Sequence, residues 1–127
     1  MTFAETKGIK VSVRPFYLPE ESDPENERFV FAYEITISNE GEEPAQLLDR
    51  HWVIKDATNQ VEEVQGPGVV GHTPILAPGE VFKYQSYCPL RTAYGFMRGS
   101  YGMQRPDGER FEADIPAFAL MPQWMLN

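Results

Sequence analysis

The sequence predicts an all-β protein, an immunoglobulin- or fibronectin-III-like β-sandwich of about seven strands. Three observations carry the prediction. Phe29, Phe31, Tyr33, Ile35 and Ile37 alternate strictly with Val30, Ala32, Glu34, Thr36 and Ser38, a two-residue period that no helix satisfies. Turn signals built on Gly, Pro, Asn and Asp recur roughly every dozen residues. No stretch shows the 3.6-residue apolar spacing of an amphipathic helix.

The elements follow in order. Residues 1–8 read as a flexible lead-in. Ile9, Val11 and Val13 alternate with Lys10, Ser12 and Arg14, a half-buried strand that Pro15 and Pro19 end or confine to an edge. Residues 20–27 are acidic and rich in breakers, an exposed loop; a cation site is the alternative, but the spacing and central glycine of a calcium loop are absent. Residues 28–39 form the clearest strand. A turn at residues 40–44 leads to a strand over 45–57, with Leu48, Trp52 and Ile54 in phase and a bulge or bend near Arg50-His51. Residues 58–60 turn again, and Val61 to Val64 make a short strand. After a turn at Pro78-Gly79, residues 81–88 form a strand with Phe82, Tyr84 and Ser86 in phase. Residues 92–104 follow, with Met97, Tyr101 and Met103 on one face. Gly95, Gly99 and Gly102 there imply close approach by another backbone. Asp107-Gly108 is the core of a hairpin turn. Phe111, Ala113 and Ile115 alternate after it, Pro116 interrupts, and residues 117–120 close the core. Residues 122–127 are a tail in which Trp124 docks back or lies exposed.

The 127 residues are read as one domain, residues 1–127, long enough to fold without a disulfide or metal. The net charge of -8 argues against nucleic acid and anionic membranes as partners, since both reward positive charge. Cys88 is the one cysteine, so an intrachain disulfide and a cysteine-based zinc site are excluded. No basic segment followed by an apolar run opens the chain, and no apolar run nears the roughly 20 residues that span a bilayer. The expectation is a cytoplasmic protein.

One motif demands a test. Gly66-Pro67-Gly68-Val69-Val70-Gly71 spells G-x-G-x-x-G, the letters of a dinucleotide-binding fingerprint. That fingerprint needs a preceding strand, a helix opening within it and an acid about 20 residues on. Pro74 and Pro78 forbid the helix, and Glu80 falls in a turn too early for the ribose role. Two readings remain. The glycines shape a sheet-to-sheet crossover lying close to a neighbouring strand, or their N–H groups form an anion-binding nest, less the donor that Pro67 lacks.

The remaining chemistry is sparse. Cys88 as a nucleophile needs a base, and His51 and His72 are the only histidines; a small buried core residue is the better reading. Asp49, His51 and His72 show no recognised metal spacing. No catalytic residue, metal or cofactor is assigned. Arg50, His51, His72 and Arg98 are candidate partners for a phosphate near the loop, but Arg50 and Arg98 could equally pair with Glu62 or Glu63 across strands. Sandwich edges and loops are common recognition surfaces, and Tyr17, Tyr94 and Trp124 are candidates for exposed aromatics.

Several phrases together resemble the ApaG family of bacterial proteins. They are Arg50-His51-Trp52, Val64-Gln65 running into Gly66 to Gly71, Pro78-Gly79-Glu80, and Tyr84 and Ser86 before Cys88-Pro89-Leu90. Met97-Arg98-Gly99-Ser100-Tyr101 and Ile115-Pro116-Ala117-Phe118 complete the set. The resemblance runs from Ile9 to Leu120. It implies a fibronectin-III-like sandwich and no established catalytic residues. Similar domains in eukaryotic F-box proteins and a DNA-polymerase-delta-interacting protein imply protein interaction. The family's genetic context implies a link to a diadenosine-tetraphosphate hydrolase, and its phenotype one to cobalt and magnesium efflux. The expected function is therefore a non-enzymatic, cytoplasmic binding module acting through a protein partner, as monomer or homodimer. The alternative is a pyrophosphate or nucleotide sensor built on Gly66, Gly68, Val69, Gly71 and His72 with Arg50 and His51.

Overall fold

The computed structural model describes residues 2–125. Nine β-strands occur among them: β1 (Thr2–Thr6), β2 (Ile9–Tyr17), β3 (Phe29–Asn39), β4 (Ala45–Asp56), β5 (Val61–Pro67), β6 (Ile75–Leu76), β7 (Val81–Leu90), β8 (Gly95–Gln104) and β9 (Arg110–Leu120). They build two antiparallel sheets, ordered β1-β2-β3-β7 and β5-β4-β8-β9, with β6 also on β4. Inward residues of both sheets interdigitate as one apolar core, with Ile35, Ile37, Leu47, Tyr101 and Leu120 fully buried. The β-sandwich is the predicted fold. Its two strands beyond the expected seven are β1 and the two-residue β6.

Alternation holds where it was legible. Phe31, Tyr33, Ile35 and Ile37 point into the core, as do Met97, Tyr101 and Met103. Val30 and Ala32 are buried on the opposite face of β3 as well. The acidic stretch is exposed and folds as two 3-10 turns, Pro19–Glu21 and Pro24–Asn26. Trp124 packs edge-on against Tyr17 with ring centroids 5.4 Å apart while remaining 60% exposed. The last two residues of the predicted tail lie outside the described residues.

Three expectations need correction, and one alternative is decided. The lead-in is strand β1, paired with β2 from Thr2 opposite Val13 to Thr6 opposite Ile9. Its side chains are half-buried at best, so its apolar pattern is faint. Of the two outcomes expected for Pro15, the edge is the one found: β2 continues past it to Tyr17 along β3. Beyond Val13, β2 has β3 on one side only, and a proline lacking an N–H is tolerated at such an edge. The β4 bulge lies at Leu48 rather than Arg50-His51, because Leu47 pairs with Met103 and Asp49 with Gly102. It switches the inward parity, so Leu47 is the core residue before it, and Arg50, Trp52 and Ile54 take the inner face after it. Pro116 likewise lies inside β9, in a bulge where the pairing steps from Met97–Phe118 to Gly99–Ile115.

The glycine stretch also differs from the expected crossover. β5 and β6 lie along the same edge of β4, opposite residues 49–55 and 45–46. The loop between them is an excursion from that edge, facing the Leu48 bulge. The passage to the other sheet comes later, in the turn where Glu80 N–H donates to the Ala77 carbonyl and Gly79 has φ +88°.

Two polar side chains tie the far end together. Asn39, the one buried polar residue among the described residues, donates through Nδ2 to the Glu43 and Leu76 carbonyls at 2.8 and 2.9 Å. Arg105 donates to the Glu43, Pro44 and Lys7 carbonyls and lies over the Phe111 ring.

Candidate functional site

The sandwich is closed on one side, where β1 and β2 lie against β9. On the other side β5 and β7 are each hydrogen-bonded to one neighbour only, and the sheets leave a pocket of about 360 Å³ between them. Strand parity supplies its walls. The inner face of β7 contributes Tyr84, Ser86 and Cys88; β4 contributes Arg50, Trp52 and Ile54; Tyr33 comes from β3 and Val64 from β5. Val69 and Val70 of the glycine loop and Tyr87 of β7 also line it. A second hollow of about 370 Å³ shares Ile54, Glu62 and Pro89 with the first, so the cleft runs on along the β5 and β7 edges.

The glycine motif builds one wall, and each glycine has its own task. A Cβ on Gly66 would lie 3.0 Å from Arg50 Nη2, so the bare backbone leaves room for the guanidinium. Gly68 has φ +59°, and its N–H donates to the bulged Leu48 carbonyl at 2.8 Å. Val69 and His72 exchange both main-chain hydrogen bonds, at 2.8 and 2.9 Å, around Val70 and Gly71. Val70 has φ +42° and Gly71 φ +83°, so this is a tight hairpin turn with left-handed residues at both central positions. Glycine suits that conformation; a β-branched valine is strained in it. Val69 is fully buried, while Val70 is 54% exposed at the pocket mouth.

Arg50 is the centre of charge. Its Nη1 donates to the Pro67 carbonyl at 2.8 Å and the Gly68 carbonyl at 2.9 Å. Among the described residues no carboxylate lies within ion-pair distance of it. Glu62 and Glu63, the alternative partners that the sequence offered it, are otherwise placed. His51 takes Glu63, Nε2 to Oε1 at 2.8 Å, and Glu62 pairs with Ile54 in the ladder, four residues from the Arg50–Gly66 pair. That offset is roughly 13 Å along a strand.

Burial governs the titratable neighbours. It raises the Tyr33, Tyr84 and Tyr101 hydroxyls above their usual range, with the Arg50 charge opposing in each case. The Tyr84 and Tyr101 hydroxyls are hydrogen-bonded to each other. Burial, aided by the Glu62 charge, pushes the Cys88 thiol up to about 12, which leaves it protonated and a poor nucleophile at neutral pH.

Of the sequence-predicted site residues, the structure brings Arg50, Gly66, Gly68 and Val69 together. Gly71 sits at the turn tip. His51 is the next residue along β4 from Arg50 and points to the opposite face, towards Glu63. His72 is exposed and packs on Phe82 with ring centroids 5.9 Å apart. Among the described residues no three His, Cys, Asp or Glu side chains gather, and no helix is long and apolar enough to cross a membrane. Sequence reasoning missed Tyr33, Trp52, Val64 and Val70 as site residues. The signal was present for two of them, because Tyr33 and Trp52 share the inward parity of their strands.

A family model described as the ApaG domain matches residues 19–105. The chain belongs to the ApaG family. It is 56% identical over 115 residues to Protein ApaG of Rhodospirillum centenum, covering 91% of this chain and 88% of that protein. It is 50% identical over 127 residues to Protein ApaG of Anaeromyxobacter dehalogenans, covering 100% of both. The crystal structure of the ApaA protein from Bordetella pertussis matches with a TM-score of 0.88 at 50% identity, covering 90% of this chain and 93% of that one. The family match to this ApaG domain includes the β3, β4, β5 and β7 residues that line the pocket, along with the glycine loop.

Proposed function

We propose that this ApaG domain is a non-enzymatic binding module of the cytoplasm that engages a protein partner along the open β7 edge. One observation carries the reading: β7 is ten residues long, paired on one side only, and presents exposed Val81 and Tyr87. Its pairing phase is settled by two bonds. Asn39 N–H donates to Glu80, and the Val30 carbonyl, opposite Pro89, turns away from β7 to accept from Leu18. The main-chain groups of Val81, Lys83, Gln85 and Tyr87 therefore point outward, in phase with Pro89, which has no N–H to offer. Such an edge is a template for strand addition. The link to cobalt and magnesium efflux then runs through the partner.

The test compares the unaltered protein with Gln85→Pro as bait. The proline falls at an outward position, so the fold persists while the edge loses a donor. A partner captured by the first and lost by the second is expected. Capture unchanged by Gln85→Pro would move the contact elsewhere, and no partner above background would end the reading.

A second reading, a pyrophosphate or nucleotide sensor at Gly66 to Gly71, draws on two features. The N–H groups of Val70 and Gly71 have no main-chain partner among the described residues, and Arg50 lacks a carboxylate. Weighing against it, the N–H groups of Gly68, Val69 and His72 are spent on protein carbonyls. An amide-resolved titration with pyrophosphate and ADP decides: saturable shifts centred on Val70 and Gly71 favour it, and silence at millimolar ligand removes it.

A further inference from the structure

We propose that the pocket between β5 and β7 is a small-molecule site for a ligand with an aromatic body and a single carboxylate, the carboxylate bound by Arg50. The volume of about 360 Å³ lies within the range of small-ligand pockets, and the walls are mostly apolar and aromatic with a few convergent polar groups.

Three independent features point to this ligand chemistry. The first is the unpaired cation. Arg50 stands half-buried in the pocket wall, and among the described residues its charge meets two loop carbonyls and no carboxylate within ion-pair distance. Its Nη1 is held by two loop carbonyls, which fixes the plane of the fork. A guanidinium so oriented suits a planar carboxylate, and little side-chain entropy remains to be lost on binding. The glutamate that shares the pocket, Glu62, stands about four residues of strand away at the other end. A carboxylate seated at Arg50 therefore lies at the end of the pocket away from Glu62.

The second feature is the company Arg50 keeps. The buried Tyr33 hydroxyl bonds to that of half-buried Ser86 in the same pocket, and the pair can turn one donor to a carboxylate. Ile54, Val64, Val70 and Tyr87 supply accessible apolar surface for an aromatic body, over the buried Trp52 and Met97. The third is the strain at the mouth. Val70 holds an unfavourable left-handed conformation, and like Tyr87 it lines the pocket with an exposed side chain. Backbone strain of this kind clusters at ligand clamps, active sites and switch regions.

The experiment titrates the full-length protein with phenylacetate and, separately, with its neutral isostere phenylacetamide, followed by amide-resolved NMR. Saturable shifts at Gly66, Val69, Ser86 and Cys88 are expected for phenylacetate, with phenylacetamide at least about tenfold weaker, the scale of one lost charge-assisted hydrogen bond. Arg50→Gln should erase that preference. Because Arg50 also laces the loop, Ser86→Leu is the second variant; it fills the pocket from β7 and should abolish binding of both probes while leaving Arg50 in place. Equal binding of the two probes, shifts centred outside the pocket, undiminished binding to folded Ser86→Leu, or no shifts at millimolar phenylacetate would each overturn the assignment.

Discussion

At the residue scale, three positions show how local constraint was traded for tertiary fit. Val70 occupies a turn position that favours Asn or Gly, so Val70→Asn should relieve strain and stabilise the fold by about 1 kcal/mol in urea unfolding. An unchanged or lower midpoint would mean that the exposed valine side chain makes a contact worth as much as the strain. Gly99 is the opposite case. A Cβ there would overlap the His51 carbonyl of the neighbouring strand, a backbone atom that cannot step aside. Gly99→Ala should cost about 2 kcal/mol or more by the same measurement. Cys88 is buried and its thiol held protonated, so it should resist alkylation at pH 8 in the native protein and react readily in denaturant. Rapid native labelling would show that the pocket opens widely.

At the element scale, the bulge in β4 is the decisive feature. One additional residue at Leu48 turns Arg50 and Trp52 inward, and its carbonyl anchors Gly68. The strands themselves were legible, because a two-residue apolar period over eight or more residues has no competing reading in β3, β7 and β8. The bulge was misplaced by about two residues because Leu47 and Leu48 are both leucine, and the sequence cannot say which faces the core. β1 was missed for a related reason: a strand with one half-buried face carries little hydrophobic contrast. Edge strands bring their own hazard. Lys83 lies mid-way along β7 with its main-chain groups outward, a charge that discourages self-pairing. Lys83→Val should therefore aggregate faster than the unaltered protein, read by light scattering at equal concentration; equal scattering would show that another element already guards the edge.

At the scale of the whole molecule, the core is uneven in chemistry. One side is closed and aliphatic, while the open side gathers buried phenols and a thiol around one guanidinium. This sets the response to alkaline pH. Cys88 rises from an ordinary 9.0 to about 12, and Tyr84 and Tyr101 also rise, with burial the main cause in each. The folded state thus keeps protons that the unfolded chain releases. Stability from these groups is complete below pH 9 and falls as pH climbs from about 9 towards 12. Urea midpoints measured from pH 8 to 11 should decline accordingly, and Cys88→Ala should flatten the thiol's share of the slope.

The sequence alone determined the sandwich class, the long strands, the Asp107-Gly108 hairpin and the family. Each is written in local periodicity, in turn residues or in shared phrases, and these need no knowledge of what lies across the core. It also showed that the glycine stretch could not open a helix, because Pro74 and Pro78 forbid one. Only the tertiary structure decided what those glycines do. Gly66 makes room for Arg50, Gly68 meets the bulge, and Gly71 completes a strained turn, three relations to partners at least a dozen residues away or to a backbone dihedral. It likewise separated Arg50 from its neighbour His51, since adjacent strand residues face opposite sides and a single bulge upstream chooses which side is in. Parity is a property of register, and register is settled by packing between strands rather than by any one of them.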